Sequence, residues 1–136
     1  MRRLGLLLGL LFAGALFWLL LRSGDAETGA VVAAGTEAAR GLALAQDKGC
    51  VACHSLDGTP SIGPSWLGGY GVRRQFTDGT TAVADADYLR QAIRQPAIRI
   101  VRGYDNLMLP AMLADDEVEA LIALFRALGT ADVVEE

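Results

Sequence analysis

The stretch KGCVACHSL, Lys48 to Leu56, holds both cysteines and the only histidine of a 136-residue chain. Cys50, Cys53 and His54 fall within five consecutive positions as C-x-x-C-H. A C-x-x-C pair could be a thioredoxin-like redox couple, but no βαβ pattern surrounds this one. It could be half of a zinc site, but the chain has no further Cys or His to complete four ligands. It could also be a plain disulfide in an oxidising compartment.

A fourth reading accounts for the histidine as well: the pattern of covalent haem attachment. Two thiols add across the two vinyl groups of one haem, and the two-residue gap sets the thiols at the right separation. A histidine directly after the second cysteine can bring its imidazole to the iron as the proximal ligand. The expected cofactor is therefore one haem c, bound through Cys50 and Cys53, with His54 on the iron. The chain has no second histidine for the other axial position, and methionine, a ligand that raises the reduction potential, is then the leading candidate. Met1 lies in the wrong compartment. Met108 and Met112 remain, both in the loop ahead of the last helix. A Met in an apolar loop is more often packing than ligand. Met108, 54 residues after His54 and beside Pro110, is the favoured ligand, with Met112 as the alternative.

Outward from this stretch the chain reads as helices joined by long loops. TEAARGLALAQDK is helical, with Thr36 as N-cap, Glu37 in the first turn and Gly49 as terminator. Residues 55–84 are rich in Gly, Pro, Ser and Thr and read as irregular chain rather than strands, with turns at 57–59 and 78–81. Asp85 or Asp87 caps a second helix with Tyr88, Leu89, Ala92 and Ile93 on one face, stopped by Pro96. Residues 97–114 are mostly loop. Asp115 or Ala114 then opens a helix whose buried stripe is Val118, Leu121, Ile122, Phe125 and Leu128, with Gly129 following as its C′ residue. Three modest helices are too little for a conventional core, and loops this long need a reason. A large apolar group inside them supplies one.

The N-terminus has a different character. Arg2 and Arg3 precede 18 uncharged residues, Leu4 to Leu21, and Arg22 follows. As a helix this run spans about 27 Å, close to a bilayer core of about 30 Å. Trp18 and a snorkelling Arg22 could cover the shortfall. A cleaved secretory signal is the rival reading, but LFWLLLRSG offers no A-x-A cleavage site. The expected organisation is a membrane anchor over 1–22, a flexible linker over 23–36, a folded domain over 37–130 and a tail over 131–136. Gly5, Gly9 and Ala13 share one face of the anchor, a spacing that lets another membrane helix approach or that simply meets lipid.

Net charge is −4, and without Arg2, Arg3 and Arg22 it is −7, which argues against a nucleic-acid partner. Basic residues gather between positions 73 and 102, at Arg73, Arg74, Arg90, Arg94, Arg99 and Arg102. Acidic ones gather later, at Asp115, Asp116, Glu117 and Glu119. A partner could read that polarity, and a solvated surface explains it equally well.

Taken in order, KGCVACHSLDGT, IGPSWLGGYG, the DGTT turn, DADYLRQAIRQP, IVRGYDNLMLP and ADDEVEALIALFRALG make the chain resemble a class I c-type cytochrome over roughly residues 38–129. It is most similar to the cytochrome c domain on subunit II of caa-type terminal oxidases, without that subunit's copper domain. The resemblance implies a mainly α fold, three to four helices wrapped round a covalent haem, behind one N-terminal transmembrane helix. It implies that the Pro64 carbonyl accepts a hydrogen bond from His54, and that Trp66, Leu67 and Tyr70 pack on the haem or its propionate edge. Tyr104 is expected near the haem and Met108 on the iron. Three positions depart from the family pattern: Leu109 where a proline is usual, and Ala45 and Leu124 where aromatic residues are usual.

The expectation that follows is a non-enzymatic, single-pass protein of a bacterial inner membrane, its haem domain on the periplasmic side. It would pass single electrons between membrane respiratory complexes, a quinol-oxidising complex upstream and a terminal oxidase downstream. No small-molecule substrate is expected. The alternatives are a fixed haem subunit of one such complex and, in a different class, a sensor or enzyme with an open distal site.

Overall fold

The structure is a computed structural model that describes residues 35–129. Among these, α1 is Glu37–Asp47, α2 is Ala86–Arg94 and α3 is Asp115–Gly129. A 3-10 turn covers Cys50–Ala52 and another Pro96–Ile98. The expected anchor, nearly all of the linker, and the tail lie outside the described residues. Among the described residues, no helix is long and apolar enough to cross a membrane.

Local chemistry sets the helix ends. The Thr36 hydroxyl accepts from the Ala39 amide at 3.2 Å and starts α1. Lys48 caps its other end, and Gly49 leaves at φ 75°, a left-handed conformation that costs glycine little. The Asp85 carboxylate accepts from the Tyr88 amide at 2.9 Å and starts α2. Ala114, which has no side-chain acceptor, precedes α3, and the Glu117 carboxylate instead reaches back to the Ala114 amide at 2.9 Å. The expected C′ role of Gly129 is corrected, because Gly129 lies within α3. Its lack of a side chain serves packing, since an added Cβ would lie 3.0 Å from Tyr70 Cβ.

The core is the crossing of α1 and α3. At Gly41 an added Cβ would fall 2.1 Å from the Ala120 carbonyl oxygen, so the helices touch backbone to backbone. Ala45, Ala120 and Leu124 are fully buried around that contact. The small side chain of Ala45 and the aliphatic Leu124 fill it where aromatic residues are usual. Val118, Leu121, Ile122, Phe125 and Leu128 are all buried, as the periodicity predicts.

Residues 55–84 depart from expectation, because they contain strands. β1 (Arg73–Gln75) pairs antiparallel with β2 (Thr81–Val83), Arg74 opposite Ala82. Phe76 at the hairpin end is 1% exposed and bridges to Val101. Strands of three residues are too short for a two-residue period to register. The hairpin turn was legible, and Asp78 builds it by accepting from the Thr80 amide at 2.9 Å and its hydroxyl at 2.7 Å.

Part of the charge polarity is internal. Arg90 holds Glu119 through two bonds, 2.6 and 3.1 Å, while Arg94 pairs with Asp115, and Arg40 with Asp116. The first two clamp α2 to α3 and the third clamps α1 to α3.

Gly41→Ala is expected to cost about 3 kcal/mol of overpacking, outweighing the roughly 1 kcal/mol that Ala gains in a helix interior. Urea denaturation of the haem-bound protein measures it. The Arg90 guanidinium holds Glu119 below its ordinary carboxylate value, and Arg40 does the same for Asp116. Such groups stabilise the fold above the unfolded carboxylate pKa, and that contribution is lost as pH falls through the lower folded value. Glu119→Gln should therefore flatten the acid limb of a stability-against-pH curve, and the effect should shrink in high salt.

Candidate haem site

The attachment stretch starts where α1 stops. Positive φ at Gly49 turns the chain out of α1, and the 3-10 turn closes through Cys53 N–H to Cys50 O at 3.2 Å and His54 N–H to Cys50 O at 3.0 Å. Both cysteines are half-buried free thiols. Burial pushes the Cys50 thiol up from its ordinary value. No group of three or more His, Cys, Asp or Glu among the described residues could hold a metal ion, which leaves the zinc reading without support.

The loop after His54 folds back over it. Gly63 N–H donates to Cys53 O at 2.7 Å and Trp66 N–H to Ser55 O at 2.9 Å. The Ser65 hydroxyl ties the same loop, accepting from the Gly58 amide at 3.1 Å and the Leu67 amide at 3.2 Å. Between these ties Pro64 meets the imidazole, and His54 Nδ1 lies 2.8 Å from the Pro64 carbonyl oxygen. A carbonyl only accepts, so Nδ1 carries a proton and Nε2 is the ring nitrogen left to face a metal. Gly63 lies against the ring itself, where an added Cβ would fall 2.5 Å from His54 Cε1. The Trp66 ring lies 5.5 Å from His54 and 4.5 Å from Phe125, joining the histidine to the core of α3.

His54 opens onto a cleft of about 800 Å³, counting space continuous with solvent. Leu89, Ala92 and Ile93 of α2 form one apolar wall and Phe125 of α3 another. Of the residues expected around a haem, His54, Pro64, Trp66, Tyr104 and Met108 line the cleft. Leu67 and Tyr70 do not line it, and neither do Cys50 and Cys53, which lie on the turn just ahead of His54. Leu67 lies at 37% exposure beside Gly58. Tyr70 is turned to the end of α3, its hydroxyl accepting from Arg126 Nε at 3.0 Å and its ring lying under that guanidinium. Gly68 N–H donates to Leu128 O beside it, so this stretch braces the loop that carries Trp66. The two candidate methionines separate clearly: Met108 lines the cleft, while Met112 is 97% exposed outside it. Among the lining residues that the sequence did not place at the site are the polar Arg74, Tyr88, Arg99, Asp105 and Asn106.

These residues fit a covalent haem. The cleft is mostly apolar and of cofactor size, an imidazole nitrogen is free to face it, a thioether lies in its lining, and two unpaired thiols precede the histidine.

Gly63→Ala should push the imidazole off its seat and break the bond to Pro64. Its visible spectrum, reduction potential and yield of haem-bound protein would all change, whereas Val83→Ala, an exposed position on β2 outside the cleft, should leave the spectrum as it is.

A family model described as Cytochrome c matches residues 38–128, well over half of the chain. No curated protein matches the sequence. The match covers the attachment stretch, the loop over His54 and all three helices, and the chain accordingly belongs to the cytochrome c family and is a haem c electron-transfer protein.

Proposed function

We propose that this protein is a membrane-tethered mono-haem cytochrome that carries single electrons in a respiratory chain, to or within a terminal oxidase, with His54 and Met108 as the axial ligands of its iron. The observation that carries the ligand assignment is that His54 and Met108 line one apolar cleft, while Met112 stands clear of it. The tether rests on the apolar run from Leu4 to Leu21, and the oxidase connection on the likeness of residues 38–129 to an oxidase-borne domain.

When bound, the haem supplies an iron that gains and loses one electron. The protein does the rest. Cys50 and Cys53 anchor the group by thioether bonds, which prevents its loss outside the cell. Pro64 fixes the His54 tautomer and ring direction, which sets the basicity of the ligating nitrogen. Met108 would hold the iron through its thioether, a ligand that favours the reduced state. Leu89, Ile93, Trp66 and Phe125 give the cleft apolar walls that would limit water at the iron. With His54 and Met108 both holding the iron, no position on it would be left for a substrate. A tether raises the effective concentration of partners in the same membrane without any added contact.

The purified, reduced protein should keep its haem through acidic acetone extraction, and its visible spectrum should not respond to carbon monoxide. Met108→Ala should then bind carbon monoxide readily, while Met112→Ala behaves as the native protein does. Ready binding by the native protein would instead mean an open distal site and a sensing or catalytic role.

A further inference from the structure

We infer that Arg126 and Tyr70 form a clamp at the end of α3 that positions the proximal histidine. Through the loop from Pro64 to Tyr70 the clamp holds the Pro64 carbonyl against His54 and thereby lowers the reduction potential. The inference rests on His54 ligating the iron and gives a positioning role to two residues outside the cleft.

The arginines differ in what they join. Arg40, Arg90 and Arg94 join helix to helix. Arg73 and Arg102 reach Thr81 and Gln75 on the hairpin. Arg126 joins α3 to the histidine loop. Its Nε donates to the Tyr70 hydroxyl at 3.0 Å, and its central carbon lies 5.2 Å from the centroid of the Tyr70 ring. A basic residue in the last turn also suits the helix dipole, but that interaction asks for no particular partner.

Other contacts join the last turns of α3 to the same loop. The Phe125 and Trp66 rings are 4.5 Å apart, and the Leu128 carbonyl accepts from the Gly68 amide at 3.2 Å. Gly129 lies so close that an added Cβ would be 3.0 Å from Tyr70 Cβ. Between Trp66 and Tyr70 the chain itself is weakly determined. Leu67 is exposed, and Gly68, at φ 62°, is followed by a second glycine. Such a stretch keeps one path only if its ends are held. One end is Trp66, whose amide donates to Ser55 O at 2.9 Å, directly beside His54. The other end is Tyr70. The Pro64 carbonyl, two residues before Trp66, follows any drift of this loop.

A carbonyl that accepts from Nδ1–H makes the imidazole more basic, and a more basic ligand favours ferric iron. Loosening the clamp should weaken that bond and raise the midpoint potential. Loss of the Arg126 charge alone acts the other way, because a positive charge nearby disfavours ferric iron. The sign of the shift therefore separates positioning from charge.

The test uses the haem-bound protein and two readouts: the midpoint potential, and the exchange of His54 Nδ1–H with deuterium oxide, followed by NMR in the reduced state. Tyr70→Phe keeps the ring and every charge. It should raise the potential and speed Nδ1–H exchange several-fold, while the amides of Ala45 and Leu124 at the α1–α3 crossing keep their rates. Arg126→Gln, at an exposed position, should do the same, and Arg126→Lys, which can still donate to the hydroxyl, should restore most of the native behaviour. Native values of both readouts in Tyr70→Phe and Arg126→Gln would overturn the inference. So would a potential that falls in Arg126→Gln and stays put in Tyr70→Phe, or equal acceleration of Nδ1–H and the crossing amides. If the native chain carries no covalent haem, it is the haem reading itself that fails.

Discussion

The hydrogen bond from His54 Nδ1 to the Pro64 carbonyl, 2.8 Å long, is the contact on which the rest of the haem site is arranged. One small bond can do this because it closes a loop between two residues ten apart and fixes a ring at the same time. On one side it is supported by the backbone ties of Gly63 to Cys53 and Trp66 to Ser55. On the other it is supported by the bare surface of Gly63, on which the ring lies. A histidine left to choose among rotamers would lose entropy on binding a metal, and here that loss is taken during folding.

Packing carries this arrangement into the helices. Trp66 links the imidazole to Phe125, and Phe125 belongs to the buried stripe of α3 and to the core cluster around it. The α1–α3 crossing is close because Gly41 and Ala45 present almost no side chain. The same α3 is held to α2 by Arg90 and Arg94, and α2 supplies the far wall of the cleft. These exposed ion pairs contribute orientation more than stability. Their geometric effect is to hold both walls of the cleft to a common element.

The loops that looked too long for a compact domain have a physical explanation in this arrangement. The loop from Ser55 to Tyr70 seats the histidine and then ties to the end of α3. The hairpin of β1 and β2 delivers Phe76 to the interior and Arg74 to the cleft. The segment after α2 brings Arg99, Tyr104 and Met108 into the lining of the same space. Such loops bury little against one another, and a large apolar group between them gives each a surface to pack on.

The sequence by itself determined the chemistry and the helices. C-x-x-C-H with a single histidine named the cofactor, because few chemistries use that spacing and the chain lacked the residues for the others. Helix caps and stripes were legible because they depend on neighbours within four residues. The strands were not legible, since three residues carry no period, and neither was Gly129, whose role depends on Tyr70 far away in the chain. Only the tertiary structure separated Met108 from Met112, turned Leu67 and Tyr70 away from the cleft, and divided six similar arginines into clamps, surface groups and the two that line the cleft. Most of those distinctions are set by contacts between distant segments, from 21 residues apart for Arg94 and Asp115 to 56 for Tyr70 and Arg126, and the identity of a side chain does not state which distant segment it will meet.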